Sequence, residues 1–242
     1  MTEAFALLCR TTERRPGTAQ GVRELGEALG ARIVGEPGEP RVGQWADDLA
    51  ASLGCLREAG RLVDESLGAG RRPLLVAGHC AICMTTLPGV AARHPDASFV
   101  WLDAHADFNT PETTPSGFLG GMCLSAACGV WDAELEGAPI DPARVHMIGV
   151  RDLDPGEERL VDAHRVSWET PTGGPVFIHL DLDVLDPAEH PADFPAGGGM
   201  TFDDLSFVLD EIAESCTIVG AEVTGPAPGL GRAIAGTLAP LL

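Results

Sequence analysis

Two short stretches of this sequence carry the groups that could do chemistry. In Trp101-Leu102-Asp103-Ala104-His105-Ala106-Asp107, an apolar run from Phe99 ends abruptly in two carboxylates and an imidazole at alternate positions. Val176-Phe177-Ile178-His179-Leu180-Asp181-Leu182-Asp183 repeats the pattern. Apolar runs of this length read as buried strands. Alternation along an extended chain places Asp103, His105 and Asp107 on one side of the backbone, and likewise His179, Asp181 and Asp183. If the two strands are neighbours in a parallel sheet, their C-terminal ends meet at the edge where open α/β sheets place their sites. Asp103, Asp107, Asp181 and Asp183 would crowd together there, each raising the others' pKa unless cations compensate. A pair of divalent metals bridged by carboxylates is the simplest compensator. The plain alternative is a solvated strand end with a helix-capping Asp.

A third candidate lies at Gly78-His79-Cys80-Ala81-Ile82-Cys83. Cys80 and Cys83 form a Cys-x-x-Cys pair after a strand and at the start of a helix, which would suit redox chemistry. That reading leaves the carboxylate clusters without a purpose, and it makes Cys83 a small apolar core residue if rejected. His179 shares the Asp181 face, either as a hydrogen-bond donor to a ligand or as a proton carrier. His94, His146, His164 and His190 belong to no constellation and read as structural or exposed.

The elements that must position these groups alternate along the chain. Apolar spacing predicts strands over 4–9, 31–35, 73–77, 97–102, 145–150, 176–182 and 217–223, with a minor one over 164–168. Helices are predicted over 18–29, 45–68, 81–92, 122–128, from Pro155, over 201–214 and over 231–241, with Pro88 a candidate break. Thr201 and Asp204 have capping-box spacing. Such alternation argues for an α/β fold with one parallel sheet and helices on both faces. No domain boundary or repeat is visible, so residues 1–242 are expected to form a single domain.

The chain has 36 acidic against 16 basic residues and a formal charge of −20, which disfavours nucleic acid and anionic membranes as partners. No apolar run reaches the length of a membrane span, and the N-terminus lacks a signal-peptide pattern. Seven cysteines, an odd number at irregular spacing, read as reduced thiols in a cytoplasmic protein. Cys9, Cys55, Cys123, Cys128 and Cys216 are then core or near-core thiols.

Asp-Ala-His-x-Asp at 103–107 and Asp-x-Asp-x-x-Asp-Pro at 181–187 resemble the two signature blocks of the ureohydrolases, the family of arginase and agmatinase. Gly198-Gly199-Met200-Thr201 and the run from Gly149 to Glu157 are also similar. The likeness spans residues 73–228 and is weak before that. It implies an arginase-like three-layer αβα sandwich and two Mn²⁺ ions. Asp103 and Asp181 would bridge the ions. Asp107 and the residue near 80 would complete one, His105 and Asp183 the other. A metal-bridging hydroxide would attack an sp² carbon, and Asp107 would pass a proton to the leaving nitrogen. Asn109, Thr114 and Ser116 match positions around a substrate α-carboxylate, and Asp154 and Glu157 those around its α-amino group. The family usually forms trimers or hexamers; this short chain is open to monomer or homo-oligomer.

Three positions depart from the family pattern. Ungapped matching puts Cys80 at a ligand histidine, which opens the site to Zn²⁺ or Fe²⁺; a shift of one residue would restore His79. Gly120 stands where a histidine proton shuttle is expected, which favours a leaving nitrogen that needs less help, such as a hydroxyguanidine's. Gly225 falls on the guanidinium-reading Glu, with Glu222 on a supporting position; with a gap, Glu222 itself would be the reader. The resemblance therefore implies hydrolysis of a C–N bond in a guanidino or N-hydroxyguanidino α-amino acid, such as Nω-hydroxy-L-arginine to L-ornithine and hydroxyurea. The alternatives are a related metallohydrolase acting on a non-guanidine amidine or amide, and a catalytically degenerate metal-binding relative.

Overall fold

A computed structural model describes residues 1–242. Seven strands form one sheet: β1 (Thr2–Leu7), β2 (Arg32–Val34), β3 (Arg72–Ala77), β4 (Ser98–Leu102), β5 (Val145–Ile148), β6 (Pro175–Asp181) and β7 (Thr217–Thr224). Their order is β2-β1-β3-β7-β6-β4-β5, and every pairing is parallel. Parallel strands need long crossovers, and the helices supply them. These are α1 (Thr18–Ala28), α2 (Trp45–Gly68), α3 (Cys83–Arg93), α4 (Cys123–Ala127), α5 (Pro155–Ala163), α6 (Phe202–Ser215) and α7 (Gly231–Thr237).

Two apolar cores result, one on each face of the sheet. Leu56, Leu62, Leu87, Leu124 and Val161 bring α2, α3, α4 and α5 onto Phe99, Trp101 and Phe177. Val22, Leu25, Leu205, Leu209 and Ile234 bring α1, α6 and α7 onto Val76, Val100 and Ile178. Three layers follow from a sheet that is apolar on both faces. The strands β4 and β6, remote in sequence, are direct neighbours, with Trp101 opposite His179 and Leu102 opposite Leu180. Thr201 caps α6 through the Asp204 N–H, as its spacing predicts.

Several expectations change. The stretch 164–168 makes only an isolated bridge, from Ser167 to His146. Pro88 sits inside an unbroken α3. Cys9 and Cys55 are joined by a disulfide rather than held as separate thiols, leaving five free cysteines. The bond links the loop after β1 to the middle of α2, a meeting 46 residues apart in the chain that only packing creates. No helix is long and apolar enough to cross a membrane.

Candidate metal centre and substrate cavity

The C-terminal ends of β3, β7, β6 and β4 converge on a group of buried acids. From β6, Asp181 ends the strand and Asp183 follows in a tight turn, its N–H donating to Asp181 Oδ1 at 2.8 Å. From β4, Asp103 takes the His105 N–H at 2.7 Å, and Asp183 Oδ1 takes the Ala104 N–H at 3.0 Å. Each carboxylate thus keeps one oxygen on a backbone donor, which fixes its direction. His105 Nδ1 lies 3.0 Å from Asp183 Oδ2 and 3.4 Å from Asp103 Oδ1. Arg151 holds the turn from behind, donating to the carbonyls of Asp183 and Ala196 at 2.9 Å. Asp107 has a left-handed backbone, φ 49°, a conformation that costs a non-glycine residue about 1 kcal/mol or more. Its carbonyl is pinned by the Leu124 and Ser125 N–H groups at 3.1 and 3.3 Å.

From the end of β3, the Cys80 thiol points at Asp181 Oδ2, 2.7 Å away, with Asp103 Oδ2 at 3.8 Å. Cys80 and Cys83 are unbonded, so the Cys-x-x-Cys pair is not a disulfide here. His79 stands beside Cys80 on the cavity wall, and its Nδ1 accepts the Cys80 N–H at 3.1 Å. That bond places the ring proton of neutral His79 on Nε2, which makes that nitrogen a donor. Enclosure by its neighbours pushes His79 down to about 4, keeping it neutral.

The electrostatics mark a place that calls for positive charge. Burial, reinforced by Asp183 and Asp107, drives Asp103 well above the usual carboxylate range. Burial likewise raises Asp107, and lifts Asp181 to about 6 with help from Asp183. For His105, burial opposes the charge, but the bonds to Asp103 and Asp183 outweigh it and push the ring up to about 12. Donor atoms of Asp103, His105 and Asp183 lie within 4.8 Å of one another, and so do those of His79, Cys80 and Asp181. Hard carboxylate oxygens with imidazole suit a divalent ion such as Mn²⁺, and the one thiol widens the choice toward softer metals. The residues present fit a pair of divalent cations.

A cavity of about 150 Å³ opens above this group, with Asn109, Ser116, Asp154 and Glu157 on the side away from β6. Asn109 Nδ2 donates to Asp154 Oδ2 at 3.0 Å. Glu157 Oε1 accepts the Phe108 N–H at 2.7 Å, and its other oxygen the Asp154 N–H at 3.3 Å. Burial raises Glu157 to about 7. Thr114 is not on the wall; its hydroxyl accepts the Gly117 N–H at 3.1 Å and supports the loop that presents Ser116. A second lobe of about 190 Å³ shares His79, Asp181, Asp183 and Phe194 and extends past Gly225 and Pro226.

Two expectations are corrected by position. Glu222 is fully buried on β7, one pleat repeat below the strand end, where both its oxygens are taken by His179 Nδ1 and Thr86 Oγ1, each at 2.6 Å. It faces no cavity and does not read a guanidinium. His179 is 1% exposed, with its ring stacked on Trp101 at 3.7 Å, beneath the carboxylates. It cannot reach a substrate, which removes it as a proton carrier. Sequence reasoning missed Thr224, whose hydroxyl donates to Asp181 Oδ2 at 2.9 Å; its place two residues after Glu222 was the available signal. It also missed the cap formed by Phe118 and Phe194, ring centroids 4.7 Å apart, with the Arg14 guanidinium 4.3 Å over Phe118. Aromatic residues in Gly/Pro-rich loops at the active edge of a sheet were the only hint.

The sequence profile of the arginase family matches residues 6–172 and 167–239. The chain belongs to the arginase family. Nω-hydroxy-L-arginine amidinohydrolase of Streptomyces lavendulae is 36% identical over 221 residues, covering 86% of this chain and 80% of the relative. Arginase of Bacillus caldovelox is 33% identical over 228 residues, covering 81% and 75%. The solved arginase structure of Bacillus subtilis superposes with a TM-score of 0.85 at 24% identity, over 100% of this chain and 98% of the other. As an arginase-family member, this chain is a hydrolase of C–N bonds in amidines.

Proposed function

We propose that this arginase-family chain is a two-metal hydrolase of an N-hydroxyguanidino α-amino acid, with Nω-hydroxy-L-arginine converted to L-ornithine and hydroxyurea. The observation that carries the reading is that Gly225 and Gly120 stand at the two positions where the family pattern has an acidic reader and a shuttle histidine, together with a neutral His79 donor on the cavity wall. A guanidinium offers only donors, so it needs an acid to receive them. An N-hydroxyguanidine also has a hydroxyl oxygen, which a donor such as His79 Nε2–H can hold. The Streptomyces relative, named for that substrate, supports the same choice.

Asp103, Asp181, Asp107 and Cys80 would hold one ion, and Asp103, Asp181, His105 and Asp183 the other. Mn²⁺ is the metal of choice, with Zn²⁺ or Fe²⁺ open because of the Cys80 thiol. A bound pair of divalent ions would supply an acidified water to this site. Asp107 carries the proton to the leaving nitrogen of ornithine. Asp154 and Glu157 receive the α-ammonium group, while Asn109 and Ser116 meet the α-carboxylate, with Thr114 bracing the loop. Phe118 and Phe194 close the mouth and exclude bulk water.

The test is an assay of Nω-hydroxy-L-arginine, L-arginine and agmatine with Mn²⁺-loaded protein. Ornithine and hydroxyurea should appear from the first, at least 100-fold faster than ornithine from arginine. Asp107→Ala should cut that rate by about 10²–10⁴, the usual worth of a proton donor in the transition state. Release of product from none of the three would reject the substrate class.

A further inference from the structure

One polar atom buried under the acid cluster, His179 Nε2, has no hydrogen-bond partner. His179 Nδ1 lies 2.6 Å from Glu222 Oε1, so the proton in that contact belongs to Nδ1. Nε2 is then the other side of the ring, and it is buried with no hydrogen-bond partner. Leaving a buried polar atom unpaired is costly, so such an atom asks for a partner. The ring is held flat on Trp101, 4° from parallel, and cannot turn to find one elsewhere.

Its surroundings supply the partner. Trp101, His179 and Glu222 form a row across β4, β6 and β7 by strand register. The pleat puts Asp103 and Asp181 two residues further on, on the same face, directly above that row. His179, Cys80 and Asp103 each offer a donor atom within 4.8 Å of the others. Two donors on opposite sides of one ion stand up to about 4.6 Å apart, twice a metal–sulfur bond, so a small side-chain movement brings all three onto one ion. A carboxylate that fixes one ring nitrogen while the other faces a metal is the recurring arrangement of histidine ligands.

We propose that His179 Nε2 is a metal ligand, sharing the ion held by Cys80 and Asp103, and that Glu222 is the positioning residue that sets its tautomer. The inference rests on the two-metal reading given above. It returns an imidazole to the ion that has a thiolate where the family pattern has histidine. It also explains why Glu222 is buried in the sheet with Thr86 on its second oxygen.

The experiment uses the full chain labelled with ¹⁵N-histidine, stripped of metal and reloaded with diamagnetic Zn²⁺, with metal content measured alongside. Two ions per chain are expected. In long-range ¹H–¹⁵N spectra, the His179 Nε2 resonance should move to the metal-bound range while Nδ1 keeps its proton; His179→Gln assigns the signal. Glu222→Gln, which preserves shape, should weaken one of the two ions by about 10–100-fold and leave the other unchanged, with the fold intact by circular dichroism. Two ions bound with the His179 signal unmoved, or undiminished affinity in both variants, overturns the ligand assignment alone. A wild-type chain that takes up no metal overturns the two-metal reading and this inference with it.

Discussion

The His79 ring occupies the space in front of Gly120: a β-carbon on Gly120 would stand 3.1 Å from His79 Cε1 and would overlap the Phe118 ring. The space beside Gly120 is therefore filled by Phe118 and His79 rather than left open. Gly120→His should not create arginine hydrolysis. It should lower stability by about 1–3 kcal/mol in urea denaturation, the cost of overpacking a closed site. Adding Phe118→Ala should recover part of that loss. A Gly120→His chain with wild-type stability would show that the space is free.

Gly225 has a left-handed backbone, φ 71°, and a β-carbon there would lie 3.1 Å from Asp181 Oδ1. Gly225→Ala should cost about 1–2 kcal/mol from the backbone alone. Gly225→Glu should cost more, because a further carboxylate would meet Asp181, and it should not make arginine a better substrate than hydroxyarginine. The checks are denaturation midpoints and the ratio of kcat/KM for the two substrates.

Glu157 is the acid whose pH dependence can be read separately. Burial raises its pKa from 4.5 to about 7 in the fold. The folded state thus favours the protonated form, so this group's penalty is absent at low pH, grows as pH rises above 4.5, and is complete above about 7. In metal-free protein, Glu157→Gln should gain stability relative to wild type between pH 5 and pH 8, read as melting temperatures. An unchanged difference between the two pH values would reject the raised pKa.

The Cys9–Cys55 bond predicts five titratable thiols, not seven, in protein denatured without reductant. Reduction should lower stability by about 2–4 kcal/mol, the usual worth of a native crosslink. Seven thiols in freshly purified protein would contradict it.

The strands that bear the acids were readable because two independent signals coincide in them. Apolar runs gave Phe99 to Leu102 and Val176 to Leu182, and alternation gave the shared face of His179, Asp181 and Asp183. The Thr201 cap was readable because it needs only four residues. What escaped depends on distance in the chain. Cys9 meets Cys55, and Phe118 meets Phe194, only after the sheet has assembled. Glu222 illustrates a subtler limit: residue type and strand were right, but a single pleat repeat separates a group at the cavity from one sealed inside the sheet. Alignment at a strand end cannot resolve that step, whereas register with His179 does.

The order of the strands has a consequence for how the molecule comes together. β4 and β6 are adjacent in space, yet β5 and two crossovers separate them in the chain, and β7 must arrive last to close the gap to β3. No fragment synthesised early can assemble the cation grip, and contacts this remote form slowly. Uptake of metal during refolding should therefore report the completion of the sheet, lagging the appearance of helical signal rather than guiding it.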